Sequence, residues 1–246
     1  QNLLAQVVHQ VGDNGAVDWT HRKIRATGIA GPNPDLPPCA QRASALEAAK
    51  QIALRNLIQT VKGTTIDSET LVNNAMLVSD EIRSRVSGFV QGCTIVDSRF
   101  MSDMSVEVEV EIPFAGISDV VLPPGKVLQQ SLGNPQAGYP PVGGQGAPSV
   151  PAGVITGLVV NAKGLGVVPA MAPKLLDEDG NEVYGSKIVD RDWAVQQGMV
   201  GYSKDLAEAR TNKRVAPNAM VVNAVKAVGN NKADLVISNA DAAALK

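Results

Sequence analysis

One run of ten residues narrows the folds open to this chain more than any other stretch. From Met104 to Pro113 the sequence alternates without a break. Val106, Val108, Val110 and Ile112 fall on one side; Ser105, Glu107, Glu109 and Glu111 fall on the other. A side-chain period of two belongs to a strand with one dry face and one wet face. The preceding run, Ile82 to Val90, alternates less cleanly but puts Arg83 and Arg85 on a single face. Read as a second strand and paired antiparallel, it sets those arginines across from the glutamates. Opposite charges so placed contribute a few tenths of a kcal/mol to about 1.

The chain upstream supplies the rest of a layer. Asp18 to Ala30 reads as a strand, with Ile24, Ala26 and Gly28 on one face and Lys23, Arg25 and Thr27 on the other. Gly31 to Pro38 is a loop, because its four prolines remove donors and fix φ. Ala40 to Lys62 carries the strongest helical pattern: Leu46, Ala49, Ala53 and Leu57 form a stripe, widened by Ile52 and Val61, and Gly63 follows as a stop. Asp67 to Val78 reads as a weaker helix capped by Asp67 or Ser68, with Leu71, Val72, Ala75 and Met76 inward. Strand, helix, helix, strand, strand predicts an α+β unit: an antiparallel sheet with helices on one face. Lys23, Arg25, Arg83, Arg85, Glu107, Glu109 and Glu111 are then expected on the other face, either simply solvated or as a docking surface.

This layout resembles two related families. The carrying features are the first strand, the helix with Arg42-Ala-Ser-Ala-Leu-Glu-Ala-Ala49, the short second helix, Leu77-Val-Ser-Asp-Glu-Ile-Arg-Ser-Arg-Val-Ser-Gly88 and the Val/Glu strand. Over residues 18–114 they look like the N-terminal domain of flagellar assembly protein T and like small envelope lipoproteins of the Lpp-twenty type. The resemblance implies export, a cell-envelope location and a structural role; flagellar T proteins form part of a ring around the motor shaft. Gln1 is not a lipidation cysteine, and the rest of the chain does not follow the later domains of the flagellar protein.

Leu122 to Gly153 breaks the composition, with seven prolines, seven glycines and Lys126 as its one charge. It reads as a linker or extended loop. Beyond it a second α+β unit is expected. Val154 to Val160 forms a strand, and Lys174 to Tyr184 a hairpin turning at Asp179-Gly180. Asp190 caps a single helix from Arg191 to about Thr211. Strands at Ala219–Val228 and Leu235–Ser238 follow, with a short final helix begun by Asn239 or Asp241. This half looks like a module of exported bacterial envelope proteins of unassigned function. The expected organisation is two α/β-sandwich-like domains: an arm at 1–17, a domain at 18–121, a linker at 122–153 and a second domain at 154–246.

Composition removes several function classes. The chain of 246 residues has 22 Lys+Arg against 24 Asp+Glu, and residues 1–114 carry 10 against 13. Neither half has the basic excess that phosphate binding requires, so no nucleic-acid partner is expected. Two Trp, three Tyr and three Phe are too few for a stacking platform. No apolar run approaches the roughly 20 residues of a membrane span. The chain starts at Gln1, which reads as removal of a secretory signal, with a trimmed recombinant start as the alternative. As Gln1 is not Cys, no lipid is expected on the first residue. Cys39 and Cys93 do not form a CxxC, and with two His no metal set is expected. In an exported protein they are disulfide candidates, a bridge that restricts the unfolded chain by roughly 4 kcal/mol; two buried free thiols are the alternative.

No motif completes a catalytic set. Gly164-Leu-Gly166 follows a strand, but Val-Val-Pro comes next and no helix opens. Asp177 to Glu182 looks like half a calcium loop without the closing ligands, and reads first as a hairpin turn. Gly201-Tyr-Ser-Lys-Asp205 starts like a nucleophile elbow around Ser203 but lacks the last glycine, and neither His9 nor His21 stands out as its base. No cofactor is expected. The N-terminal residues Leu3, Leu4, Val7, Val8 and Val11 read as a frayed terminus, a short helix packed on the domain, or an arm that grips a neighbouring subunit. The first functional expectation is therefore a non-enzymatic, exported envelope or extracellular protein that self-associates into a ring or filament. The second is a periplasmic binding module for a peptide, glycan or other envelope partner. The third is a hydrolase around Ser203.

Overall fold

The computed structural model describes residues 6–122 and 155–245. The linker expected at 122–153 falls, but for Leu122, outside the described residues, as do Leu3 and Leu4. The described residues are mixed α+β and hold two five-stranded sheets.

The first sheet has the order β1 (Val8–Gln10), β2 (Gly15–Asp18), β3 (Lys23–Ala30), β5 (Val106–Pro113), β4 (Thr94–Phe100), antiparallel throughout. The alternation of β5 is realised as expected: Val106, Val108, Val110 and Ile112 are buried, and the glutamates between them are not. On β3 the buried partners are Ile24, Ala26 and Gly28. Over this dry face lies α1 (Pro38–Lys62), which buries Ala45, Ala49, Ala53, Leu57, Thr60 and Val61. Gly28 lets the helix come down onto the sheet: a Cβ there would lie 2.2 Å from the Ala53 nitrogen and 2.3 Å from the Ala49 oxygen. The helix ends at Gly63, whose N–H caps it by donating to the Gln59 and Val61 carbonyls.

The run Ile82–Val90 is a helix and not a strand. It belongs to α3 (Asp80–Gln91), which follows α2 (Val72–Val78) after the single residue Ser79. Ser79 caps α3 by accepting from the Ile82 N–H at 3.2 Å. Val86 and Val90 are buried in the core and Ile82 packs against it, one stripe at a spacing of four. The partner strand of β5 on this side is β4, which lies beyond α3. The second helix starts later than expected, because Asp67 caps a tight turn instead, accepting from the Glu69 and Thr70 N–H groups at 2.9 and 2.8 Å. After β5, α4 (Phe114–Val121) leads out of the unit.

The second sheet has the order β6 (Gly157–Asn161), β9 (Ala219–Val228), β10 (Asp234–Ile237), β7 (Leu175–Leu176), β8 (Glu182–Tyr184). It is mixed: β6–β9 and β7–β10 are parallel, β9–β10 and β7–β8 antiparallel. Leu175, Val222, Ile237 and Ala242 are its buried cluster, the last of these on α7 (Asn239–Ala244), capped by Ser238. The single helix expected over 191–211 is two. α5 (Arg191–Gln197) is capped by Asp190 and stops at Gly198, whose φ of 75° leaves the helical region; α6 (Leu206–Thr211) begins after Asp205.

The two units meet along a continuous contact. Met171 and Ala172 donate to the Thr65 and Ile66 carbonyls at 3.1 and 2.7 Å. The buried Asp234 carboxylate accepts from the Ser68 hydroxyl at 2.6 Å and the Lys174 N–H at 2.8 Å. Trp19 stands edge-on to both Phe114 and Tyr202, with centroids 5.0 and 5.7 Å away. Arg191 donates to the Asp119 carbonyl at 2.7 Å.

Candidate interaction surfaces

The open face of the first sheet is charged, as β3 and β5 dictate. Their register sets Arg25 opposite Glu111 and Lys23 beside it. Lys23 reaches Glu111 at 2.6 Å; Arg25 reaches Glu111 at 2.8 Å and Glu109 at 3.6 Å. From β4, Arg99 lies opposite Glu107 and within 3.6 Å of it. The cations that meet the glutamates are thus Lys23, Arg25 and Arg99. Arg83 and Arg85, expected there, sit on α3 because their run is helical; Arg83 pairs with Asp80 and Arg85 with Asp119. Burial opposes ionisation of Glu111, yet the hydrogen bonds and charges of Lys23 and Arg25 outweigh it and hold its carboxyl below the usual glutamate value. Each carboxylate has a cation, so this face offers a balanced ladder.

The edge of the same sheet is different. All seven residues of β4 are exposed, including Ile95 and Val96 at 44% each and Phe100 at 50%. Pairing to β5 puts Ile95, Ser98 and Phe100 in line with the buried valines, on the helix side, and Thr94, Asp97 and Arg99 in line with the glutamates. Arg42 of α1 lies over the Phe100 ring at 5.5 Å, which is a partial cover. A bulge falls between Ile95 and Asp97. An exposed strand edge with apolar side chains is a template for another strand. Bulge and charge are the devices that moderate such an edge. Sequence reading missed β4, since its residues do not alternate through the bulge.

The described part of the N-terminal arm is taken up at the opposite edge. β1 pairs with β2 in a hairpin, Val7 and Val11 pack against the domain's own core, and Val8 is exposed. Val11 folds back because its N–H donates to the Gly15 carbonyl at 2.9 Å across the Gly12 turn. In this chain these residues complete their own sheet.

The remaining candidates are not brought together. Cys39 is exposed in the first turn of α1 and Cys93 is half-buried just before β4, and both are free thiols, so the expected bridge is not formed. Burial pushes the Cys93 thiol up. Ser203 lies in the loop before α6 and its hydroxyl donates to the Asp205 carbonyl at 3.1 Å. His21 is held by Asp18 at 2.8 Å and makes no hydrogen bond with Ser203. Asp177 serves its own hairpin turn, accepting from the Asp179 and Asn181 N–H groups. Among the described residues no group of three or more His, Cys, Asp or Glu is placed to hold a metal ion, and no described helix is long and apolar enough to cross a membrane.

Comparison with known proteins divides the chain where the two sheets do. No curated protein matches it. Of the two families that the first half resembles, the match found is to the lipoproteins, and nothing found supports flagellar assembly protein T. Residues 20–113 match the family model of the LPP20 lipoproteins, and residues 157–246 match that of the second domain of Treponema pallidum Tp0624.

Proposed function

We propose that this protein is an exported, non-enzymatic component of the cell envelope that works by associating with copies of itself. The observation that carries the reading is the β4 edge: a strand exposed at every residue, bearing Ile95, Val96 and Phe100, on a sheet whose other edge is made by its own N-terminal hairpin. The match to a lipoprotein family supports the envelope location. The non-enzymatic part is supported by Ser203, whose hydroxyl is spent on its own loop, and by the balanced charges of the glutamate face. Sedimentation velocity over a hundredfold range of concentration tests it. A concentration-dependent shift to larger species is expected; one monomeric boundary throughout would defeat the reading.

A second reading is favoured by the folded-back hairpin, in which Val7 and Val11 pack against the domain's own core. In it, the β4 edge receives an extended segment of a different envelope protein by strand addition. It predicts a monomer by sedimentation, so the same experiment separates the two.

A further inference from the structure

The β4 edge is patterned to meet itself. Val96-Asp97-Ser98-Arg99-Phe100 runs apolar, acid, hydroxyl, base, apolar about Ser98. We propose that β4 pairs antiparallel with β4 of a second copy about a two-fold axis through Ser98, joining two five-stranded sheets into one of ten. This rests on the self-association reading above and names its first contact.

The register follows from faces and charge. In an antiparallel pair, residues directly opposite share a face. Asp97 and Arg99 share one, since they lie opposite Glu109 and Glu107 of β5. A two-fold axis through Ser98 sets Asp97 opposite the partner's Arg99, twice over. Centring the pair on Asp97 would oppose two carboxylates, and centring it on Arg99 two guanidiniums; like charges across a ladder are unfavourable. A half-step register would pair residues of opposite faces. The Ser98 N–H donates to the Asp97 carboxylate at 2.8 Å. In the single chain Asp97 also holds Arg99, at 2.7 Å. Pairing exchanges these local contacts for the equivalent ones across the axis, which leaves no charge unmatched. A two-fold contact of this kind closes on itself and yields a dimer, so a ring or filament would be built from dimers through another surface.

Charge reversal tests the proposal. Sedimentation velocity is run on the full chain as wild type, as Asp97→Arg, as Arg99→Asp and as an equimolar mixture of the two variants. The wild type is expected to dimerise. Each variant alone places like charges across the axis twice and is expected to lose at least about tenfold in association constant. The mixture restores both opposite-charge pairs and is expected to form a heterodimer. If both variants associate as well as the wild type, or if the mixture fails to recover association, the β4 register is wrong, while self-association stands on another surface. If the wild type is monomeric, self-association and the register fail together. A second variant guards against misfolding: Ser98→Cys with Cys39→Ser and Cys93→Ser is expected to give a disulfide-linked dimer under mild oxidation. Its absence in a folded protein, verified by circular dichroism, would count against the axis through Ser98.

Discussion

Arg22 and Arg214, nearly two hundred positions apart in the chain, divide five consecutive carbonyls at the end of α5 between them. Arg22 donates to Val195 at 2.9 Å and to Gln196; Arg214 donates to Gln197, to Gly198 at 2.8 Å and to Met199 at 3.4 Å. The last carbonyls of a helix lack intrahelical partners and carry the negative end of its dipole, so a cation there is favourable. Burial, and for Arg22 the charge of Arg214, lower the pKa of both guanidiniums. Arg22 belongs to the hairpin between β2 and β3 and holds a φ of 57°, unusual for a residue with a side chain. That backbone strain is maintained where the first unit reaches into the second.

Arg22→Ala is therefore expected to lower unfolding free energy by about 2 kcal/mol, the order of a lost hydrogen-bonded charge at a part-buried site. Arg22→Gly loses the same bonds but relaxes the left-handed backbone, so it should be less destabilised than Arg22→Ala. Urea unfolding of the two variants side by side measures the difference. Equal losses would mean that the hairpin carries no strain.

The Gly28 contact makes a sharper demand. Gly28→Ala would drive a methyl group into the backbone of α1 at Ala49 and Ala53, where no side chain can rotate away. The helix must lift from the sheet, and a loss of about 3 kcal/mol is expected. Thermal denaturation detects it as a fall in Tm. Gly88→Ala, at a glycine with open space around it on α3, is the matched control and should be neutral or slightly stabilising.

Glu111 links the charged face to pH. Its folded carboxyl titrates below the ordinary glutamate value, despite its burial, because Lys23 and Arg25 bond to it. Between the unfolded value and the lower folded one, the unfolded chain binds more protons, so stability falls as pH falls through that window. Wild type should therefore exceed Glu111→Gln in stability at neutral pH, and the gap should narrow below about pH 4. A gap that is constant from pH 7 to pH 3, by denaturant titration, would assign the loss to packing.

The thiols should report their separate environments. Cys39 is exposed and Cys93 half-buried with a raised pKa, so a thiol reagent should label the first at least about tenfold faster at pH 8. Two labels per chain under native conditions, in two phases, are expected without prior reduction. No labelling until a reductant is added would show that the two cysteines are joined.

Much of the fold is readable in sequence where one period holds without competition. The valines of β5, the alanine stripe of α1, the Asp179-Gly180 turn and the whole of β9 are such places. Ile82, Val86 and Val90 are not. Their spacing of four is a multiple of two as well as one helical turn, so the same residues satisfy a strand and a helix. Read as a strand, that run places Arg83 and Arg85 on the glutamate face, where the structure has Arg99 of β4 instead. Gly198 inside 191–211 looks like a tolerated interior glycine until its positive φ ends α5.

Local pattern decided which residues of the first sheet are dry and which are wet, because alternation is a property of one strand alone. Tertiary structure decided which strand is left at the edge. Hydrogen bonding between strands depends on what else has already paired, and here the N-terminal hairpin takes one side of the sheet and leaves β4 open on the other. The same holds for the clasp on α5: no local signal relates Arg22 to Arg214, and only the packing of the two units brings both to the same helix end.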